Sequence, residues 1–381
     1  MKKSLVALAL GTFALGIAEF GMMGILGDVA RGVNVSIVKA GHLISAYSLG
    51  VAVGAPGLIL SRRLPLKKLM LILCGMIFAG NLMTALAPNY AMLLAARVIA
   101  GLPHGAYFGA GAIVAQRLAD KGHGAQAVAV MVGGMTVANV VGVPLSTMLG
   151  GLLNWRAAFG IVALFGLLAY VFVRIYVPYL APLPDTGLKG QFRFLRSPAP
   201  WLIYAGVFFG QASVYCWFSY VEPIMTQVAH FPTSSMMWIM MLAGCGMVVG
   251  NWLSGILADR YRSSLVAASI AAALVLVMPA VYLCAALKVP SLILMFMATA
   301  GLFGIGGPLQ YLIVRFAKGG EMLGGAGIQI AFNVSNAVSA SLGGVAIARG
   351  FGLASPALVG TPLALVGAVA LFALYRRYDR R

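Results

Sequence analysis

Charge is what this sequence has least of: only 9% of its 381 residues are Asp, Glu, Lys or Arg. An average soluble domain carries about 25%, so an ordinary water-facing surface around a soluble core is excluded. Acids are scarcer still, with eight Asp and Glu against 26 Lys and Arg. The four cysteines, Cys74, Cys216, Cys245 and Cys284, stand singly in apolar runs. Their spacing supports neither a disulfide framework nor a zinc site, and each reads as a small buried hydrophobe. No G-x-x-x-x-G-K-[ST] occurs, so the chain has no cradle of its own for ATP phosphates. No H-E-x-x-H, G-x-S-G or Asp pair occurs either, which leaves a membrane-embedded enzyme without a catalytic constellation. The expectation is that the protein is not an enzyme.

What is present is apolar: 61% of residues are hydrophobic. They fall into twelve runs, at 4–27, 37–60, 66–88, 90–118, 124–153, 155–178, 200–225, 235–258, 264–287, 290–316, 321–348 and 353–375. Each is near the ~20 residues that a helix needs to cross a bilayer. The opening "MKKSLVALAL" looks like a signal peptide, but its apolar stretch continues to about Gly27 and is read as the first span. Twenty basic residues lie in loops or at span ends on the side of the N-terminus, five (Arg31, Lys39, Arg156, Lys288, Arg349) on the other, and Arg97 deeper inside a span. The positive-inside rule then puts both termini in the cytoplasm. It also accounts for the net charge of +18 without nucleic acid, since no basic block alternates with aromatics.

The longest connection, 179–199, is rich in Pro and charge and divides six spans from six. The predicted domains are therefore an N-terminal bundle (1–178), a cytoplasmic linker (179–199) and a C-terminal bundle (200–381). Internal similarity supports the halves. "LGVAVG" (49–54) parallels "CGMVVG" (245–250), and "MTVANVVGVPLSTMLGG" (135–151) parallels "IQIAFNVSNAVSASLGG" (328–344). Gly50, Gly54, Gly246 and Gly250 have the spacing that lets membrane helices approach closely.

Glu19 is the misfit of the first span, because a carboxylate at the bilayer centre costs about 2.5 kcal/mol or more. Its natural counterpart is Arg97 in "RVIAGLPHGAYFG" (97–109). At about 1.5 Å of rise per residue, the two come out at similar depth. They read as a pair facing an aqueous cavity and taking part in transport, with a structural ion pair as the alternative. Arg97, Gly101, His104 and Phe108 share one helical face. The second intramembrane acid, Glu222, is expected to share a face with Gln211, Tyr215, Phe218 and Ser219. Polar stripes run through span five (Thr136, Asn139, Ser146) and span eleven (Gln329, Asn333, Asn336). They serve either as helix–helix glue or as the lining of a solute path. Candidate cavity residues are His104, Tyr107, Phe108, Thr136, Asn139, Gln211, Tyr215, Gln329 and Asn333. The aromatics suit either sugar rings or lipophilic drugs.

"GILADRYR" (255–262) resembles the loop signature of the major facilitator superfamily, and 97–109 resembles its fourth-helix pattern. "GTFALGIAEFGMMGIL", "GAP" (54–56), "TVANVVGVPLSTMLGGLLNWRAAF" (136–159) and "RSPAPWLIYA" narrow the resemblance. They look like the twelve-span drug:proton antiporter branch and, within it, the arabinose efflux permease subfamily of sugar efflux transporters. The resemblance covers nearly the whole chain. It implies an all-α membrane protein with twelve transmembrane helices in two pseudo-symmetric six-helix bundles. It also implies a loop latch, with Gly255 allowing tight helix contact and Asp259 facing the start of span five, beside Arg260 and Arg262. The first-half copy keeps Gly57, Arg62 and Arg63 but has Ser61 where the family's Asp would fall.

The expected function is secondary export of a sugar or drug-like solute by alternating access, in exchange for protons. Glu19, Arg97 and Glu222 are the proton-coupling candidates. The alternative is a passive uniporter. No metal or other cofactor is expected, the proton gradient being the energy source. The partners expected are a small solute, protons and the lipid bilayer, for a monomer in the bacterial cytoplasmic membrane.

Overall fold

A computed structural model describes residues 3–56, 61, 64–120, 124–182, 192–318 and 321–379, without the side chains of 124–126, 129, 259, 321 and 322. Gly57, Arg62 and Arg63, and the side chain of Asp259, thus lie outside the described residues. No strand occurs among the described residues. Among the described residues, twelve helical segments are long and apolar enough to cross a membrane. They are Lys3–Gly24, Ile37–Gly54, Leu66–Leu86, Tyr90–Leu118, Val130–Leu152, Trp155–Tyr176, Pro198–Phe218, Thr233–Ala258, Ser263–Leu283, Lys288–Phe316, Leu323–Ala348 and Pro356–Asp379. These are called spans one to twelve below.

Local chemistry sets several boundaries. Asn89 and Asn154 each accept, through the side-chain oxygen, the backbone N–H three residues on, at 3.0 Å, and so cap spans four and six. Ser197 Oγ accepts from the N–H of Ala199, two residues on, at 3.4 Å and caps span seven, with Pro198 in the first helical position. Prolines interrupt the ladders elsewhere. A π-helical turn, Ala138–Gly142, precedes Pro144 in span five. Pro144 has no N–H to offer the carbonyl of Val140, and the extra residue of the π turn absorbs the mismatch. Span ten is interrupted at Ile305, three residues before Pro308.

Two expectations need correction. Span one ends at Gly24, and a separate short helix, Leu26–Gly32, follows. Span seven ends at Phe218 rather than 225, because Pro223 cannot donate to the carbonyl of Ser219. Glu222 therefore sits on a new short helix, Val221–Pro223, and the continuous face expected to carry it with Gln211 and Tyr215 is broken.

The chain divides into two compact units, 1–35 with 46–186 and 36–45 with 187–381. Each is a helical bundle with the same internal logic. In the first, span one packs on spans five and six, and span three on spans four and six. In the second, span seven packs on eleven and twelve, nine on twelve, and eight on ten. Spans one and seven are the most buried of the twelve, whereas three, six, nine and twelve are the most apolar. Spans six and twelve combine that apolarity with mostly unburied positions, as helices facing lipid do.

The matched glycines hold the close approaches. A Cβ on Gly50 or Gly54 would run into the carbonyl oxygens of Val98 and Leu102 in span four. A Cβ on Gly246 would come within 2.7 Å of the Phe296 carbonyl oxygen, and one on Gly250 would collide with that of Ala300 in span ten. Gly255 behaves differently, since a Cβ there would meet nothing within 4 Å. Its expected part in tight helix contact is absent among the described residues.

Candidate functional site

Span four enters the first bundle with Arg97 fully buried, at 0% exposure, and Glu19 of span one is 1% exposed. Arg97 Nη1 donates to the backbone oxygen of Ala18 at 3.0 Å, which brings the guanidinium to the residue beside Glu19. Its central carbon lies 4.3 Å from the ring centroid of Tyr47 and 5.5 Å from that of Phe159. Two aromatic faces and a carbonyl thus replace the water that a guanidinium would otherwise demand.

About two helical turns along the same face, His104 is 2% exposed. Its Nε2 is 3.8 Å from Glu19 Oε2, its Nδ1 is 2.9 Å from the Tyr47 hydroxyl, and its ring stacks on Phe108 with centroids 5.3 Å apart. An ionised carboxylate only accepts, so the tautomer suited to Glu19 carries its hydrogen on Nε2. Nδ1 then accepts from the Tyr47 hydroxyl. Carboxylate, imidazole, phenol and guanidinium form one buried polar cluster, held by spans one, two and four.

That cluster unites Glu19, Arg97, His104 and Phe108, as their shared depth and face anticipate. Solvent access is another matter: Glu19 and Arg97 are sealed rather than lining an open cavity in this conformation. Tyr47 and Phe159 are additions that sequence reasoning missed. Tyr47 carried a usable signal, since it precedes Gly50 and Gly54 by three and seven residues and so lies on the stripe that touches span four. Phe159 carried none, because nothing separates it from the other apolar residues of span six.

The remaining candidates are spread through both units. Tyr107 is fully buried and donates to the Leu8 carbonyl at 3.0 Å, tying span four to span one. Thr136 is exposed and Asn139 is buried within the π turn. In the second unit Gln211 Nε2 donates to the Leu302 carbonyl at 3.4 Å, facing span ten. Tyr215 packs edge-on against Phe332 of span eleven, 5.5 Å between centroids. Asn333 Nδ2 donates to the carbonyl of Gln329 at 3.0 Å. Asn336, one turn further, is fully buried with no hydrogen-bond partner for its amide among the described residues. Glu222 is 3% exposed, and its backbone oxygen accepts from the Thr226 hydroxyl at 2.9 Å. Arg260 and Arg262 are exposed beyond span eight. Asp379, a further buried acid that the sequence did not bring forward, accepts from Ser264 Oγ at 2.6 Å and from Arg315 Nη1 at 2.7 Å. Among the described residues no group of three His, Cys, Asp or Glu is placed to hold a metal ion.

Residues 8–328 match the family model described as Major Facilitator Superfamily. The chain belongs to the major facilitator superfamily. It is similar to the Escherichia coli (strain K12) protein AraJ, with 46% identity over 384 residues covering 100% of this chain and 97% of that one. It is 34% identical to the inner membrane transport protein YdhP of Escherichia coli (strain K12), covering 97% and 95%. The fold is shared with the crystal structure of a D-xylose-proton symporter, at a TM-score of 0.78 and 15% identity over 98% of this chain and 97% of that one. It is shared too with a bacterial homologue of the human lysosomal transporter Spinster, at a TM-score of 0.76 and 14% identity over 99% and 97%.

As a major facilitator the protein is a multi-pass membrane transporter of a small solute. Membership gives the matched glycines their context: the two halves repeat one packing scheme. The buried polar cluster is an asymmetry laid over that repeat, because the acid of the second unit sits on a different local structure.

Proposed function

We propose that the protein exports a sugar or drug-like small molecule across the bacterial inner membrane in exchange for protons. The observation that carries this reading is the carboxylate of Glu19, buried in the most enclosed span of its unit and 3.8 Å from a histidine that is itself bonded to a tyrosine. An acid kept inside a membrane span is costly and marks proton or solute pathways, and the hydrogen-bonded histidine beside it gives the carboxylate a polar neighbour inside the bundle. The similarity to YdhP, named as an inner membrane transport protein, supports the location. The excess of basic residues in alternate loops supports cytoplasmic termini.

In this mechanism the halves 1–178 and 200–381, joined by 179–199, rock to present a solute site to each side in turn. Glu19 takes a proton when its side of the cycle opens outward. The neighbouring Arg97, bonded to the carbonyl of Ala18, supplies the opposite charge until then. Protonation removes the negative charge from the cluster, loosens its hold on Arg97 and His104, and permits the rearrangement. Release of the proton inside resets it. Glu222, the second buried acid, is a further coupling candidate. Asn336 and Asn333, with Gln329, offer amides to a polar solute from span eleven. Asp259, Arg260 and Arg262 are assigned to the gate, with Gly57, Arg62 and Arg63 as its weaker counterpart.

The test uses vesicles with an imposed pH gradient and labelled sugars or cationic drugs as cargo. Glu19→Gln is expected to abolish the acceleration by the gradient while leaving the protein folded. A Glu19→Gln protein that responds fully to the gradient refutes the coupling. Transport indifferent to pH in the unaltered protein points instead to a passive uniporter.

A further inference from the structure

Spans nine and twelve are among the most apolar of the chain, and between them lies a groove of about 540 Å³. That volume is in the range of small-molecule sites, about 300–1,000 Å³. The groove is walled mostly by hydrocarbon, with Ser269 the one polar side chain in its lining besides Arg376. Ala268, Ala272 and Ala368 give it depth, while Val369 and Phe372, 62% and 43% exposed, form an outward-facing rim. Arg376 stands at one end, exposed, with its guanidinium carbon 4.9 Å from the Phe372 ring centroid.

These helices cross the membrane, so a groove on their outer face is filled by lipid or left without contacts, and empty apolar space forfeits dispersion energy. The cation lies near the end of span twelve, at the level where a long basic side chain reaches the headgroups. Arg377, the next residue, is also exposed and adds a second positive charge. The nearby carboxylate does not cancel them, because Asp379 is 1% exposed and already engaged by Arg315 and Ser264. We propose that this groove binds one acyl chain of an anionic glycerophospholipid, with the lipid phosphate held by Arg376. A guanidinium makes paired, charge-assisted hydrogen bonds to phosphate oxygens, and the doubled positive charge favours a headgroup with net negative charge over a zwitterionic one. The inference is independent of what the transporter carries.

The experiment offers purified full-length protein equal amounts of phosphatidylglycerol and phosphatidylethanolamine in detergent, and reads the retained lipids by native mass spectrometry. The unaltered protein is expected to retain phosphatidylglycerol preferentially. Arg376→Gln should lower that preference about fivefold, the usual weight of one basic residue at a membrane surface, whereas Arg376→Lys keeps most of it. Ala272→Phe fills the groove and should reduce retention of both lipids. Arg196→Gln removes an exposed cation outside the groove and should change neither. Equal retention of the two lipids by the unaltered protein overturns the proposal. So does an equal fall in preference for Arg376→Gln and Arg196→Gln, which would mark a general surface attraction. The arginine variants decide the matter even where Ala272→Phe fails to fold.

Discussion

Arg97 meets the demands of a buried cation with groups drawn from three different helices: the carbonyl of Ala18 and the rings of Tyr47 and Phe159. Tyr47 serves twice, since its ring faces the guanidinium and its hydroxyl bonds His104. Those two roles can be separated. Tyr47→Phe keeps the aromatic face and removes only the hydroxyl, so thermal unfolding in detergent should show a loss of about 0.5–1.5 kcal/mol, the net worth of one hydrogen bond. If His104 handles the proton with Glu19, the same variant should also shift the pH dependence of transport in vesicles. A stability loss with an unchanged pH profile would confine Tyr47 to packing. At this scale much was legible. Glu19 and Arg97 are conspicuous because hydrocarbon tolerates neither alone, and helical rise puts them at one depth. Asp379 was overlooked because it looks like one more residue of a charged tail until Ser264 and Arg315 are seen to converge on it.

Among the elements, paired glycines do the same task in both units. Gly250→Ala would drive a Cβ into the backbone oxygen of Ala300, and a carbonyl cannot swing aside as a side chain can. Overpacking of this kind costs about 1–3 kcal/mol, and a lowered melting temperature should report it. Gly255→Ala makes the contrast, because its Cβ meets open space. Relieved of a glycine inside a helix, that variant should be neutral or stabilised by up to about 1 kcal/mol. If transport nonetheless fails with Gly255→Ala, the loop needs that glycine in a state other than the one described. The units also share a tie at the ends of their helices. In the first, the segment after span six offers backbone oxygens, that of Leu180 to the N–H of Leu66 and that of Ala181 to Arg117. In the second, the carboxylate of Asp379 at the end of span twelve takes both parts, for Ser264 and Arg315. A proline explains one of the two departures from the expected runs. Pro223 ends span seven early, and the sequence held that information, although hydrophobicity alone carried the prediction past it.

For the whole molecule, the distribution of 26 basic and eight acidic residues makes a definite forecast about orientation. A fluorescent-protein fusion at the C-terminus should be bright and an alkaline phosphatase fusion inactive, since both termini are expected in the cytoplasm. The reverse pattern would put both termini outside and invert the side from which Glu19 takes its proton.

Amino-acid order alone determined the number and approximate positions of the spans, the duplication and the presence of an acid and a base within the first and fourth of them. These follow from local rules: the thickness of hydrocarbon, the rise of a helix and the cost of charge in lipid apply to each segment separately. Tertiary structure alone decided which aromatic rings meet Arg97, that His104 reaches Glu19 while bonding Tyr47, and that the cluster is closed to solvent. Those outcomes depend on how helices rotate and slide against one another, which packing settles between partners far apart in the chain.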